Sequence, residues 1–183
     1  VRIMGEKMDH LNNIVEQILT FARNAEPQFK PSDINKIIND LRILVRRKFA
    51  QQNVELNVQL AEDLPKAKAD DQQLSQVFLN LTLNALEAMP NGGKLTIKSS
   101  SIHLSKTESK PTHVHIEFSD TGSGMNPELR KQAFTSLLNS SKPGGTGIGL
   151  AIVNRIIESH GGEIKIEPNV KGTTFKILIP INN

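Results

Sequence analysis

Residues 70–100 read DDQQLSQVFLNLTLNALEAMPNGGKLTIKSS, and the two halves of this stretch follow different periods. In the first half, Leu74, Val77, Phe78, Leu81, Ala85 and Ala88 recur at helical spacing, while Gln73, Gln76, Asn80, Asn84 and Glu87 share another face. This spacing predicts a helix from about Asp70-Asp71 to Met89, stopped by Pro90-Asn91-Gly92-Gly93. The second half, around Lys94–Ser101, reads as a strand. A helix delivered directly into a strand points to an α/β architecture.

The elements on either side extend that reading. Upstream, Val54, Leu56, Val58 and Leu60 alternate with Glu55, Asn57 and Gln59 as in a half-buried strand. Before it, Ser32 or Asp33 caps a helix whose apolar face holds Ile34, Ile37, Ile38, Leu41, Leu44 and Val45 and which ends in Arg46-Arg47-Lys48. Downstream come a strand around His113–Ser119, a short helix opened by Asn126-Pro127, and a helix from Ile148 to His160 closed by Gly161-Gly162. Strands near Glu163–Glu167 and Thr173–Ile181 complete one two-layer α/β domain over residues 33–183. At the other end, Met4, Met8, Leu11, Val15, Ile18 and Ala22 form a seam along a helix of about twenty residues. A lone helix cannot bury such a stripe, so residues 1–26 either pack on the chain's own domain or, the favoured reading, join an oligomeric bundle, with a linker at 27–32 leading to the domain.

Composition narrows the function. The 183 residues, 37% hydrophobic and 22% charged, fall in the ordinary globular range. There is no cysteine, which removes disulfides, thiolate metal sites and a thiol nucleophile and fits a reducing compartment. No apolar run approaches the ~20 residues of a membrane span. The net charge of +3 resides in residues 1–50, where 9 Lys and Arg face 6 Asp and Glu; the remainder balances at 13 each. Without Trp or Tyr to stack on bases and without a broad basic face, nucleic acid is not an expected partner.

Three stretches could carry chemistry. The Asn80 and Asn84 amides are neutral oxygen donors four residues apart, suited to a Mg²⁺ that is also bound by phosphates, although a polar stripe is equally the wet face of a helix. Asp120-Thr121-Gly122-Ser123-Gly124 follows a strand; its Asp can accept a hydrogen bond from an exocyclic amine such as that of adenine, or simply open a tight turn. Gly144-Gly145-Thr146-Gly147-Ile148-Gly149-Leu150 opens a helix and offers backbone N–H groups to phosphate, with Lys142 nearby. It is neither a Walker A loop nor the dinucleotide fingerprint. Gly172-Thr173-Thr174-Phe175 is a weaker signal, and the five histidines are scattered singly.

Taken in order, Asn80-Leu81-Thr82-Leu83-Asn84-Ala85, Asp120-Thr121-Gly122-Ser123-Gly124-Met125 and Gly145-Thr146-Gly147-Ile148-Gly149-Leu150 resemble the N, G1 and G2 boxes of sensor histidine kinases. These kinases sit within the wider ATPase group that includes DNA gyrase and the large ATP-dependent chaperones. The resemblance implies a Bergerat-type α/β sandwich, a mixed sheet with helices on one side. It implies ATP and Mg²⁺ as cofactors: Asn84 on the metal, Asn80 on metal and phosphates, and Asp120 on the adenine amine. Gly122, Gly124 and Thr173 would shape the base pocket. Gly145, Thr146, Gly147, Ile148, Gly149 and Leu150 would lie at the phosphates, with Lys142 on a lid and in a catalytic role with Asn80. The residue one turn before the metal-binding Asn is a Glu in the hydrolysing branches; here it is Asn80, a poor general base, which favours transfer to a histidine over hydrolysis.

The same resemblance implies a cytoplasmic location, a response-regulator receiver domain as partner, and a homodimer through residues 1–26, the second helix of a dimerisation hairpin. The acceptor histidine is expected on the absent first helix rather than at His10. The box before the lid departs from the usual Phe-x-Pro-Phe, reading Phe134-Thr135-Ser136-Leu137. Two readings compete. A regulatory, non-catalytic nucleotide-binding module would carry the same boxes. An aspartic protease would share Asp120-Thr121-Gly122-Ser123 but needs a second carboxylate loop.

Overall fold

The computed structural model describes residues 26–103, 111–134 and 148–181. In chain order these form β1 (Lys30–Ser32), α1 (Ile34–Gln51), β2 (Val54–Leu60), β3 (Ala67–Ala69), α2 (Asp71–Ala88), β4 (Gly93–Ile102) and β5 (His113–Asp120). They continue with α3 (Pro127–Gln132), α4 (Ile148–Ser159), β6 (Glu163–Pro168) and β7 (Thr173–Pro180). Five strands make one mixed sheet in the order β2-β4-β5-β7-β6, with β2 parallel to β4 and the other pairs antiparallel.

The periodicities of the sequence account for the two layers. Along β5 and β7 every second residue is buried, so Val114, Ile116 and Phe118 form one core with Phe175, Ile177 and Ile179. Onto this face pack Leu74, Val77, Phe78 and Leu81 of α2 and Ile152, Val153, Ile156 and Ile157 of α4. The rings of Phe78 and Phe118 lie 5.5 Å apart, joining helix layer to sheet. Each such side chain contributes about 1.5–3 kcal/mol by leaving water. The opposite face of the sheet is polar and carries an ion-paired row in which Lys176 lies 2.7 Å from Glu167 and 3.9 Å from Glu117.

Helix starts follow the expected capping chemistry. Asp33 accepts the Lys36 N–H at 3.0 Å ahead of α1, and Asp70 accepts those of Gln72 and Gln73 ahead of α2. Gly161, at φ +66°, ends α4 in the left-handed conformation. Two expectations need correction. Part of the segment read as linker is structured: Lys30–Ser32 is β1, paired antiparallel with β3 and fixed by the Ser32 hydroxyl donating to the Ala69 carbonyl at 2.9 Å. Runs of three residues are too short to show a period, so neither strand was visible in the pattern. Leu44, placed by spacing on the apolar face of α1, is exposed on the margin of that stripe, and Phe49 fills its last buried position. The helical seam of residues 1–25 lies outside the described residues.

Candidate functional site

The polar stripe of α2 is more than a wet face. Asn80 is only 9% exposed, Thr82 is fully buried, and Asn84 is half-buried. The amide nitrogens of Asn80 and Asn84, which share one side of the helix, have no hydrogen-bond partner among the described residues, nor has the Thr82 hydroxyl on the other side. An unsatisfied buried polar group costs about 1–3 kcal/mol, so two such amides one turn apart are costly unless a ligand or water satisfies them. An unpartnered amide suits a phosphate through its N–H₂ and, turned over, offers its carbonyl oxygen to Mg²⁺. The donor set therefore fits a metal–phosphate group.

The second part begins where β5 ends. Asp120 is 3% exposed, and its Oδ1 accepts the backbone N–H of Gly122 at 2.8 Å and that of Thr173, at the start of β7, at 3.3 Å. The loop is fastened to its neighbours on each side. Thr121 N–H donates to the Lys94 carbonyl at 3.1 Å, Lys94 N–H donates to the Thr121 hydroxyl at 3.0 Å, and Ser123 N–H donates to the carbonyl of Ala88, the last residue of α2, at 3.1 Å. The Asp120 loop and the asparagine helix are thus joined by a direct hydrogen bond.

Two glycines permit this closeness. A Cβ on Gly122 would stand 2.6 Å from the Ala88 carbonyl oxygen. Gly172, at φ +90°, lies against the Asp120 backbone, and a Cβ there would come within 2.6 Å of the carboxylate Oδ1. At Gly149, by contrast, a Cβ would meet no atom of the described residues within 4 Å.

The structure thus gathers Asn80 and Asn84 on α2, Asp120, Gly122 and Gly124 after β5, and Thr173 on β7, and it places Gly149 and Leu150 in the first turn of α4, which starts at Ile148. Lys142, Gly145, Thr146 and Gly147, and residues 135–138 of the box before the lid, lie outside the described residues. Among the described residues no group of three or more His, Cys, Asp or Glu could hold a metal ion. None of their helices is long and apolar enough to cross a membrane.

Residues 69–183 match the family model described as histidine kinase-, DNA gyrase B-, and HSP90-like ATPase. The chain belongs to this family. Sensor histidine kinase ZraS of Salmonella typhi is 33% identical over 181 residues, which is 98% of this chain and 37% of that protein. The chain therefore spans little more than a third of that relative's length. The catalytic domain of histidine kinase ThkA, in a nucleotide-free form, superposes with a TM-score of 0.74 at 29% identity, over 85% of this chain and 97% of that one. ThkA in complex with the response regulator protein TrrA gives a TM-score of 0.80 at 26% identity, over 97% of this chain and 49% of that one. The mixed sheet with its helix layer is the Bergerat fold of these histidine-kinase ATPase domains.

Sequence reasoning did not single out the Ala88 carbonyl as part of the site, and it noted Gly172 only within a weak turn signal. The demand on Gly172 comes from Asp120, 52 positions away, which no local pattern encodes.

Proposed function

We propose that this chain binds Mg-ATP and transfers the γ-phosphoryl group to a histidine of a helical dimerisation hairpin, for onward relay to a response-regulator receiver domain. The observation that carries the reading is the pair of unpartnered amides of Asn80 and Asn84 on a helix hydrogen-bonded to the buried Asp120 loop. Asp120 would receive the adenine amine, in a pocket shaped by Gly122, Gly124, Gly172 and Thr173. Asn84 would hold Mg²⁺, and Asn80 the metal and phosphate oxygens. Gly145, Thr146, Gly147, Ile148, Gly149 and Leu150 would line the phosphates, and Lys142 would contact them from the lid.

Bound Mg²⁺ supplies neutralisation of the charge that develops on the phosphoryl group. The chain's own contribution is positioning. Asp120 fixes the base, and the α2 amides fix the polyphosphate without adding negative charge beside it. Because Asn80 replaces a general base, water is not activated, and the acceptor imidazole attacks with its own lone pair. The ThkA–TrrA complex and the kinase relatives support the relay to a response regulator. A homodimer through residues 1–26 and a cytoplasmic site of action belong to the same proposal.

The test mixes the chain with radiolabelled ATP, Mg²⁺ and a polypeptide bearing the hairpin's acceptor helix. Acid-labile, base-stable label on that polypeptide is expected. ATP binding without transfer would leave a regulatory nucleotide-binding module.

A further inference from the structure

The start of α2 and the end of α4 meet through one side chain. His160, the residue after α4, is 5% exposed. Its Nδ1 lies 2.7 Å from the Ile156 carbonyl oxygen, which can only accept, so Nδ1 carries the proton. Nε2 is then an acceptor, and it receives the backbone N–H of Asp70 at 3.0 Å. Asp70 is the N-cap of α2, and its Oδ2 accepts the backbone N–H of Gln28 at 2.9 Å. Next to Gln28, the ring of Phe29 stands edge-on to the imidazole, with centroids 5.1 Å apart and planes at 81°. Three chain segments therefore close on one ring: residues 28–29, the head of α2 and the tail of α4.

Asp70 caps its helix without help from the imidazole, so the Asp70–His160 bond serves to join two helices. Asn80 and Asn84 lie ten and fourteen residues along α2, about 15 and 21 Å at 1.5 Å per residue. The other helix, α4, begins at Ile148, directly after the glycine stretch expected at the phosphates. We infer that His160 is a positioning residue that holds α2 and α4 in register at the nucleotide site, and that Phe29 and Gln28 tie this register to the segment entering from residues 1–25. The inference rests on the nucleotide site proposed above.

The same geometry makes the register sensitive to pH. The charged group acting on the imidazole is Asp70, from the cap of α2; Lys68, from β3, stands over the neighbouring Phe29, its Nζ 5.9 Å from that ring's centroid. Lys30 and Asp71, just beyond, pair with each other at 2.7 Å. A second proton would sit on Nε2, facing the Asp70 N–H, and would break the bond. Burial lowers the His160 pKa below its usual value, against the Ile156 carbonyl and the Asp70 carboxylate, which raise it. The unfolded chain therefore takes up this proton first. The contribution of His160 is complete above the ordinary histidine value of about 6.5 and falls as pH drops from there through the lower folded pKa.

The experiment measures Mg-ATP affinity of the full 183-residue chain between pH 7.5 and 5.5, below the melting temperature of each variant. His160→Leu is expected to weaken binding about tenfold at pH 7.5, the equivalent of one lost hydrogen bond. His160→Gln, whose side-chain oxygen can still accept the Asp70 N–H, should recover to within about threefold of the native chain and show a flatter pH profile. ATP's own titration is common to both proteins, so the difference between their profiles isolates the imidazole. Phe29→Ala should also weaken binding, yet add little in the His160→Leu background. The inference is overturned if folded His160→Leu binds as the native chain does, or if His160→Gln keeps the native pH profile. Asn84→Ala separates the two levels: were it to bind Mg-ATP normally, the site itself would be misplaced. Lost binding in Asn84→Ala beside native behaviour of both His160 variants would sink this inference alone.

Discussion

The Asp120 loop and the asparagine stripe of α2 are neighbours built on opposite principles. Around Asp120 the polar groups are satisfied within the protein: the carboxylate holds two backbone N–H groups, Ser123 reaches the end of α2, and Gly122 and Gly172 leave no room for a side chain. On α2, Asn80 and Asn84 are buried or half-buried with amide nitrogens unpartnered among the described residues. The end proposed for the base is thus preformed and contributes to stability. The end proposed for the phosphates retains groups left for a ligand or water to satisfy. Substitutions at the first should cost fold and binding together, whereas substitutions at the second should cost binding alone.

The largest expected effect is at Gly172. Gly172→Ala forces a left-handed residue against Asp120 and should lower stability by more than about 2 kcal/mol, with loss of ATP binding, as seen by thermal melting beside nucleotide titration. Asn84→Ala should weaken Mg-ATP binding by about 10–100-fold, from the loss of a metal ligand, while the melting temperature holds or rises. A large fall in melting temperature would mean that the amide has a protein partner and that the contrast fails. Asp120→Asn keeps the shape but removes the charge that strengthens two backbone hydrogen bonds, so stability should fall by about 1–2 kcal/mol and selectivity for adenine over guanine nucleotides should weaken. The smallest effect is at Thr82, where Thr82→Val removes a fully buried, unpartnered hydroxyl at nearly constant volume. A stability gain of up to about 1 kcal/mol with unchanged ATP affinity is expected, because Thr82 lies on the side of α2 opposite Asn80.

The pattern of residues 70–100 was enough to place α2, its stop and β4, and the alternation at Val54–Leu60 placed β2, because those signals repeat over several turns or several residue pairs. β1 and β3 were not legible, since three residues carry no period. Nor was the exposure of Leu44, because spacing gives a face but not what covers its margin. In the site, Asn80, Asn84 and Asp120 announced themselves by residue type and spacing. Whether the stripe was wet or buried could not be read from α2 alone, because it depends on strands and loops elsewhere in the chain. His160 gave no sign in the sequence: its partners, Asp70 and Phe29, lie 90 and 131 positions away, and only the fold brings them together.

The central claim is that the amides of α2 hold metal and phosphate. Its most direct test is the Mg²⁺ dependence of ATP affinity in the native chain and in the Asn80→Ala/Asn84→Ala double variant, each shown to be folded by its melting curve. In the native chain Mg²⁺ should tighten ATP binding by about tenfold or more, and in the variant it should leave the weakened binding unchanged. Equal tightening by Mg²⁺ in both proteins would place the metal on other residues and contradict the account.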